Sequence, residues 1–256
     1  MNRVKFIAPV IILFLSVILF QCASLIPPSI KMESTLTPIV DETKTNLKME
    51  EDGSLAYIAD GMKIVVKPMT DEKLNKMFPD ISNRKEASTN PYTYGNWVDM
   101  ELGYTPNRFT VFVVKVFNYA LPKINLDPLK AELTSSRGDK LLPYAREKKD
   151  SPGSDLNFES YYTKIKGASG VERNRFEERM GMVRKTLYTE GQVFKGDKRD
   201  GFVVFEPLDP SIKDVTLTLK EFVLQYDANN WPQKTINIVF PFKREWKAVP
   251  ETKKEK

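Results

Sequence analysis

The sequence of 256 residues has no histidine and a single cysteine. Histidine is the commonest general base and metal ligand, so its absence excludes a Ser-His-Asp arrangement and most soft-metal sites. One cysteine cannot form an internal disulfide, which excludes a disulfide scaffold. The 15 Phe, 10 Tyr and 3 Trp residues can bury enough apolar surface to exclude a disordered chain. The composition predicts a globular protein of one domain, or of one domain plus a smaller annex. No cofactor is expected.

Residues 1–21 have the parts of a secretory signal peptide. Arg3 and Lys5 precede a mostly apolar run from Phe6 to Phe20. At about 1.5 Å per residue this run covers about 22 Å, less than the roughly 30 Å of hydrocarbon that a transmembrane helix must match. Removal of the segment is therefore favoured over membrane spanning.

The only cysteine, Cys22, lies directly after this run, and Leu19 lies three residues before it. This pattern resembles the lipobox of bacterial lipoproteins, in which the cysteine is acylated and becomes the first residue. Gln21 stands where Gly or Ala is usual, and looser lipoboxes of this kind are similar to those of spirochaetes. The resemblance implies a palmitate-type anchor on Cys22 and the lipid bilayer as a partner. Ordinary cleavage after Ser24 and an uncleaved anchor are the alternatives.

Changes in composition set the other boundaries. Residues 22–52 contain three prolines and a polar run, which indicates a lipidated stalk. Residues 53–246 are predicted to form the folded domain, with a polar insertion at 145–187. Residues 247–256 have no apolar period and are predicted to be a disordered tail. Beyond residue 21 the chain has 37 basic and 34 acidic side chains, a mild excess that argues against a nucleic-acid partner.

Short apolar runs between turn signals predict about eight strands. Two of them flank Asp60-Gly61, a strong hairpin signal. The run 109–117 is apolar on both faces, which favours a central strand. A later run changes parity near Lys220, which indicates a β-bulge or a strand that crosses between sheets. The pattern predicts a mainly β fold, a β-sandwich.

Two helices interrupt the strands. Thr70 and the two acidic residues after it predict a short helix that ends at Pro79. Ser169 and the glutamate three residues later have the spacing of a capping box. Apolar residues then recur on one helical face as far as Leu187, which predicts an inserted amphipathic helix. Residues 80–107 are predicted to be a loop.

Three stretches carry a resemblance to a known family. Residues 190–205 combine a glycine-containing turn with a Gly-aromatic-aliphatic strand, 112–118 form a hydrophobic strand ending in Asn, and 215–219 alternate. They are similar to segments of bacterial lipoprotein domains of the immunoglobulin-like, telokin-like kind. The resemblance covers roughly residues 100–245 without the insertion. It implies an immunoglobulin-like β-sandwich in the cell envelope and offers no catalytic residue.

Few residues suggest chemistry. Ser82 and Lys85 have the Ser-x-x-Lys spacing of penicillin-recognising enzymes, without the partner motifs of that class. No calcium-loop spacing and no facing carboxylate pair is visible, so neither a metal site nor a catalytic residue is predicted.

Partner contact is predicted instead, because aromatic loops present a large area at a small entropic cost. The candidate residues are Tyr92, Tyr94, Trp97 and Tyr104 in the loop, and Arg173, Arg175 and Arg179 on the inserted helix. A loop that folds over the sandwich to cover its core is nevertheless the favoured alternative, and a solvated face among glutamates is the favoured alternative for the arginines.

Together these features predict a non-catalytic binding or structural module of the bacterial cell envelope. We expect it to be lipid-anchored through Cys22, in the outer membrane of a diderm bacterium, with an unidentified envelope or surface protein as partner. A sandwich does not specify activity, so two alternatives stay open. They are an envelope enzyme with carboxylate or Ser-Lys chemistry, and a surface adhesin.

Overall fold

The computed structural model describes residues 30–40, 46–167 and 169–250, with side chains described from residue 34 to residue 246 within those ranges. The predicted signal peptide, the proposed lipidation site Cys22 and residues 251–256 lie outside the described residues.

The described residues form a mainly β protein with two antiparallel sheets. The strands are β1 (Ile30–Pro38), β2 (Leu47–Met49), β3 (Leu55–Ala59), β4 (Met62–Met69), β5 (Thr110–Asn118), β6 (Lys123–Asn125), β7 (Glu132–Ser135), β8 (Lys140–Leu141), β9 (Gln192–Phe194), β10 (Lys198–Phe205), β11 (Asp214–Tyr226) and β12 (Pro232–Pro250). The first sheet has the order β1-β12-β11-β6-β9, and β7 pairs with both β11 and β8. The second sheet has the order β10-β5-β4-β3-β2. The predicted β-sandwich is confirmed.

The helices are α1 (Asp71–Met77), α2 (Pro79–Ser82), α3 (Phe158–Ile165) and α4 (Gly170–Thr186), and 3₁₀ turns span Lys85–Ala87, Pro128–Lys130 and Lys148–Asp150. Both predicted caps are present. Thr70 Oγ1 accepts a hydrogen bond from the Lys73 N–H, and Ser169 Oγ accepts one from the Glu172 N–H. Each cap satisfies a backbone donor that the first helical turn leaves open.

The principal core lies between the two sheets. On β5, Phe112, Val114 and Val116 are fully buried and face this core. On β11 the buried residues change parity between Leu219 and Phe222, where Glu221 has a φ of 52° and the pairing with β12 shifts. One strand with a β-bulge therefore explains the parity change, and no crossing between sheets is needed.

A second apolar core lies on the outer face of the second sheet. Val111 of β5 and Phe202 and Val204 of β10 point away from the first core and are also buried. Helices α1, α3 and α4 and the loop around Tyr92 cover them. The chain thus forms three layers, and the apolar character of both faces of β5 follows from burial on both sides.

The predicted stalk and tail are partly wrong. Within residues 22–52, β1 pairs with β12 over nine residues and β2 pairs with β3. Within residues 247–256, β12 continues to Pro250, which pairs with Ile30. These segments show only a weak alternation of apolar residues in the sequence, and β1 and β2 are edge strands of their sheets. Composition alone therefore placed them outside the domain.

Candidate functional site

The predicted contact residue Tyr92 is a core residue, and its assignment to a contact surface is wrong. Its side chain is fully buried between the rings of Phe158 and Phe202, with centroid separations of 5.8 and 5.0 Å. Its hydroxyl makes a 2.6 Å hydrogen bond with Thr186 Oγ1 at the end of α4. Tyr92 therefore fastens the loop to the inserted helix and offers no surface to a partner.

Tyr94 is half-buried and holds a buried cation. The Arg108 guanidinium lies 4.0 Å from the centre of the Tyr94 ring and donates to the Asn90 carbonyl and the Tyr162 hydroxyl. No carboxylate among the described residues forms an ion pair with Arg108. The aromatic rings and the Asn90 carbonyl oxygen stabilise the charge of Arg108 instead, as cation–π contacts do in desolvated sites. Trp97 and Tyr104 are half-buried at the base of the same loop.

The three candidate arginines of α4 have different surroundings. Arg173 is exposed, whereas Arg175 forms a salt bridge with Glu172 on its own helix. Arg179 donates to the Ser88 carbonyl and lies 5.2 Å from the centre of the Tyr162 ring. Burial lowers its pKa, although a guanidinium stays protonated. The three side chains do not converge on one anion site: Arg179 docks the loop to α4 and Arg175 supports the helix.

The Ser-Lys pair is not assembled for catalysis. Ser82 is fully buried, and its hydroxyl donates to the Phe78 carbonyl and accepts from the Asn90 amide. Lys85, three residues further along the chain, is exposed. A nucleophilic serine needs a base within hydrogen-bond reach and an open approach, and Ser82 has neither.

The structure instead presents two adjoining cavities where the end of β6, the segment after α4 and the bulge of β11 meet. The first has a volume of about 390 Å³ and the second about 320 Å³, within the range of small-ligand sites. Asp127 and Glu190 line both cavities. The first cavity also has an apolar wall, made by Pro128, Leu129, Pro143, Tyr144, Leu187 and Phe202.

Asp127 is the half-buried carboxylate of the pair. It precedes the 3₁₀ turn Pro128–Lys130 and accepts the Leu129 N–H at 3.0 Å, which fixes its position. Burial raises the pKa of the Asp127 carboxyl above its ordinary value of 3.8, and the charges of Glu190 and Glu221 raise it further. The Leu129 N–H and Lys130 act in the opposite direction. Asp127 is thus a partly desolvated carboxylate on which the neighbouring negative charges and burial outweigh the effect of Lys130.

Glu190 is held at the cavity edge by Asn125. The Asn125 amide donates to Glu190 Oε1 at 3.1 Å, and its carbonyl accepts the Gly191 N–H at 3.1 Å. Asn125 belongs to β6 and pairs with Gln192 of β9 and with Val223 of β11. Because three strands fix Asn125, Glu190 is positioned by the sheet although its own side chain is exposed.

The two cavities carry an excess of negative charge. Four carboxylates line them, against two cations, Lys130 and Arg146. Arg146 pairs with Asp150 at 3.1 Å, and Lys130 pairs with Glu221. Within the described part of the chain, Asp127 and Glu190 have no ion-pair partner. Among these residues, no three His, Cys, Asp or Glu side chains are placed to hold a metal ion.

Sequence reasoning missed this site, because Asp127 and Glu190 are 63 positions apart in the sequence and neither belongs to a motif. Their meeting depends on β6 pairing with β9 and on the bulge of β11. Only the bulge gave a signal in the sequence. No facing carboxylate pair is visible in the sequence, because this pair is brought together by strand pairing.

No known protein family matches the sequence, and no curated protein matches it. Among solved structures, the crystal structure of the yjhA protein from Bacillus subtilis gives a TM-score of 0.35 at 11% identity, covering 72% of this chain and 93% of that chain. No helix in the described ranges is long and apolar enough to cross a membrane.

Proposed function

We propose that the protein is a lipid-anchored module of the bacterial cell envelope that binds a partner without catalysis. The sequence at Cys22, which resembles a lipobox, supports the anchor, and the resemblance to immunoglobulin-like envelope lipoproteins supports the location. The excess of carboxylates on the two adjoining cavities carries the proposal of binding. A site that is rigid, concave and acidic selects a cationic partner by charge.

The ligand that fits best is a basic segment of another envelope protein. A lysine or arginine side chain combines an apolar stem with a charged head. The stem would pack on the wall formed by Pro128, Leu129 and Leu187, and the head would meet Asp127 and Glu190. Because the two cavities adjoin at these carboxylates, side chains from one extended segment can occupy both.

An envelope enzyme with carboxylate chemistry is the second candidate. The raised pKa of Asp127 beside Glu190 favours it, since a carboxyl that keeps its proton nearer to neutrality can act as a general acid. The Ser-Lys form of this alternative is dropped, because Ser82 is buried with its hydroxyl engaged. A surface adhesin would use the same acidic cavities on a host protein.

Peptide titration tests the binding site. A short peptide that alternates Lys and Leu is titrated calorimetrically into the protein, beside a counterpart with Glu in place of Lys. We expect only the Lys peptide to bind, and we expect Asp127→Asn with Glu190→Gln to weaken that binding about tenfold or more. The exposed pair Glu51→Gln with Glu86→Gln, which lines neither cavity, is the matched control. Equal binding of both peptides, or no effect of the cavity variants, would reject the site.

Metabolic labelling tests the anchor. Cells that produce the protein are fed a palmitate analogue, and the label on wild type is compared with that on Cys22→Ser. We expect the variant to lose the label and to be unprocessed or released. Label retained in Cys22→Ser would assign the acyl group to another residue.

Crosslinking in intact envelopes identifies the partner. A photo-crosslinking residue is placed at Thr189, which lines the first cavity, and as a control at Val171, which is 61% exposed on α4. We expect a crosslinked protein that is specific to position 189, and mass spectrometry names it. The same crosslinks from both positions would place the contact outside the cavities.

A further inference from the structure

The turn at residues 97–104, here called the apolar turn, displays aliphatic side chains to solvent. Met100 is 96% exposed, the largest value among the exposed large apolar residues of the described chain. Leu102 is 51% exposed and Val98 is 40% exposed. Exposing three such residues within five positions is unfavourable in water, and such clusters mark interaction sites.

The apolar turn is ordered by its own hydrogen bonds. The Asp99 carboxylate accepts the N–H groups of Glu101 and Leu102 at 2.9 and 3.0 Å. The Gly103 N–H donates to the Asp99 carbonyl at 2.8 Å, and the Asp99 N–H donates to the Tyr104 carbonyl. Gly103 has a φ of +70°, which a glycine adopts without strain. The backbone is therefore fixed in a shape that turns the apolar side chains outward.

The apolar turn lies at the end of the sandwich where the chain enters. Asn107, three residues beyond the turn, donates to Ser34 Oγ of β1 at 3.2 Å. Ser34 is four residues from Ile30, or about 13 Å along the strand. Ile30 is the eighth residue after Cys22, so the chain between them spans at most about 29 Å when fully extended. In a chain anchored at Cys22, this end of the domain therefore stays close to the lipid surface.

We propose that the apolar turn inserts into the bilayer interface as a second membrane contact beside the acyl anchor. This inference rests on the proposed lipid anchor. Val98, Met100 and Leu102 would enter the acyl boundary, while Trp97 and Tyr104 at the base lie at the level where aromatic side chains favour headgroups. The charge of Glu101 keeps the insertion shallow, since a carboxylate stays in the hydrated layer. Two contacts, acyl chain and turn, fix the orientation of the module on the membrane.

The single native cysteine makes a direct test possible. In the acylated protein the Cys22 thiol is consumed, so a cysteine introduced by Met100→Cys is the one site that a thiol-reactive, polarity-sensitive dye can label. Trp231→Cys is the matched control, because Trp231 is 70% exposed and precedes Pro232, at the end of β12 opposite to the end that pairs with Ile30. Both full-length proteins are reconstituted into phospholipid vesicles with and without nitroxide-labelled lipid.

We expect the dye at position 100 to emit at shorter wavelength than the dye at 231 and to be quenched about twofold more by the nitroxide lipid. The further substitution Leu102→Asp in the Met100→Cys protein should remove this quenching while the protein still floats with the vesicles. A dye at 100 that stays water-exposed on floating protein overturns the inference and assigns the turn to a protein partner. Failure to float, with two dyes per chain, overturns the anchor and the inference together.

Discussion

Tyr92 marks the difference between an aromatic residue that binds and one that packs. From the sequence, Tyr92 could belong to a contact loop or to a cover over the core. It packs on two phenylalanine rings in edge-to-face geometry and reaches Thr186 with its hydroxyl. The large apolar residues that the same loop exposes are Val98, Met100 and Leu102, none of which is aromatic. Side-chain type alone therefore could not separate core from surface here.

Replacement of Tyr92 by Ala should lower the free energy of unfolding by about 3–5 kcal/mol, because a large buried ring is removed from a packed site. Urea denaturation followed by circular dichroism measures the change. Tyr119→Ala is the control, since Tyr119 is 56% exposed, and its effect should stay within about 0.5 kcal/mol. A loss for Tyr92→Ala as small as that expected for Tyr119→Ala would place Tyr92 outside the core.

The ionised Asp127 carboxylate is expected to lower the free energy of unfolding. Its raised pKa means that the folded state favours the protonated form. The stabilisation from protonation is full below the unfolded pKa and is lost as the pH rises through the folded pKa. Asp127→Asn keeps an acceptor for the Leu129 N–H and removes the charge. We expect the variant to be more stable than wild type at pH 7, by less than about 1 kcal/mol because the half-exposed carboxylate is partly screened. Thermal unfolding at pH 3 and pH 7 measures this, and a variant less stable at pH 7 would contradict it.

Among the elements, α4 was predictable and α3 was not. The cap at Ser169 and the apolar spacing after it mark α4, and Met180 and Val183 are buried as that spacing requires. α3 spans only eight residues, and its cap, Asn157, follows a polar stretch without a long apolar period. Its large apolar residues, Phe158 and Tyr162, are buried because they belong to the core on the outer face of the second sheet. Local pattern thus predicts helices with several turns, and short helices depend on what they cover.

Gly181 of α4 offers a stabilising substitution. A Cβ at this position would meet no atom within 4 Å, and the residue lies in the interior of the helix. Gly181→Ala should therefore raise the free energy of unfolding by about 0.5–1 kcal/mol. Gly95→Ala provides the contrast, because its φ is +67° and a Cβ would lie 2.2 Å from the Ser82 carbonyl oxygen. Chemical denaturation should give opposite signs for the two variants, and a destabilised Gly181→Ala would show that α4 is strained there.

Glu147 joins the 3₁₀ turn Lys148–Asp150 to α4 and should make their contact sensitive to acid. Lys149 and then Arg184 lower the pKa of Glu147 to about 2. Its stabilising contribution is therefore present above its unfolded value of 4.5 and is lost as the pH falls toward 2. We expect Glu147→Gln to cost about 1 kcal/mol or less at pH 7, since both cations are exposed, and to cost nothing at pH 2. Hydrogen exchange of α4 across this pH range measures the effect, and a cost that persists at pH 2 would refute it.

On the scale of the whole molecule, the sandwich was predictable and its boundaries were not. The Asp60-Gly61 hairpin and the both-sided apolar run of β5 predicted the centre of the second sheet, as the pairing of β3, β4 and β5 confirms. The second core could not be predicted, because it joins residues from α1 to α4 that share no local period. The acidic cavities depend on this same assembly. Local sequence patterns therefore did not predict the parts of the structure that depend on long-range packing.

The strand β1 should be required for the fold. A protein that begins at residue 53, the predicted start of the domain, leaves one edge of β12 without its partner strand. Exposed edges template association, so we expect this protein to melt at lower temperature and to form oligomers. Size-exclusion chromatography with light scattering, beside a control that begins at residue 29, measures both. A monomeric protein of equal melting temperature would show that β1 is dispensable.

The position of β1 also determines how the domain bears mechanical load. Any pull on the chain ahead of Ile30 enters the domain along the axis of β1, while β12 is held by β11. The hydrogen bonds of an antiparallel ladder lie across the strands, so such a pull shears the whole nine-residue ladder at once. Bonds loaded together share the force, whereas bonds peeled from one end break in turn. If the proposed anchor and a bound partner pull on the domain from opposite sides, β1 is therefore loaded in the shear geometry, in which the ladder bonds share the force.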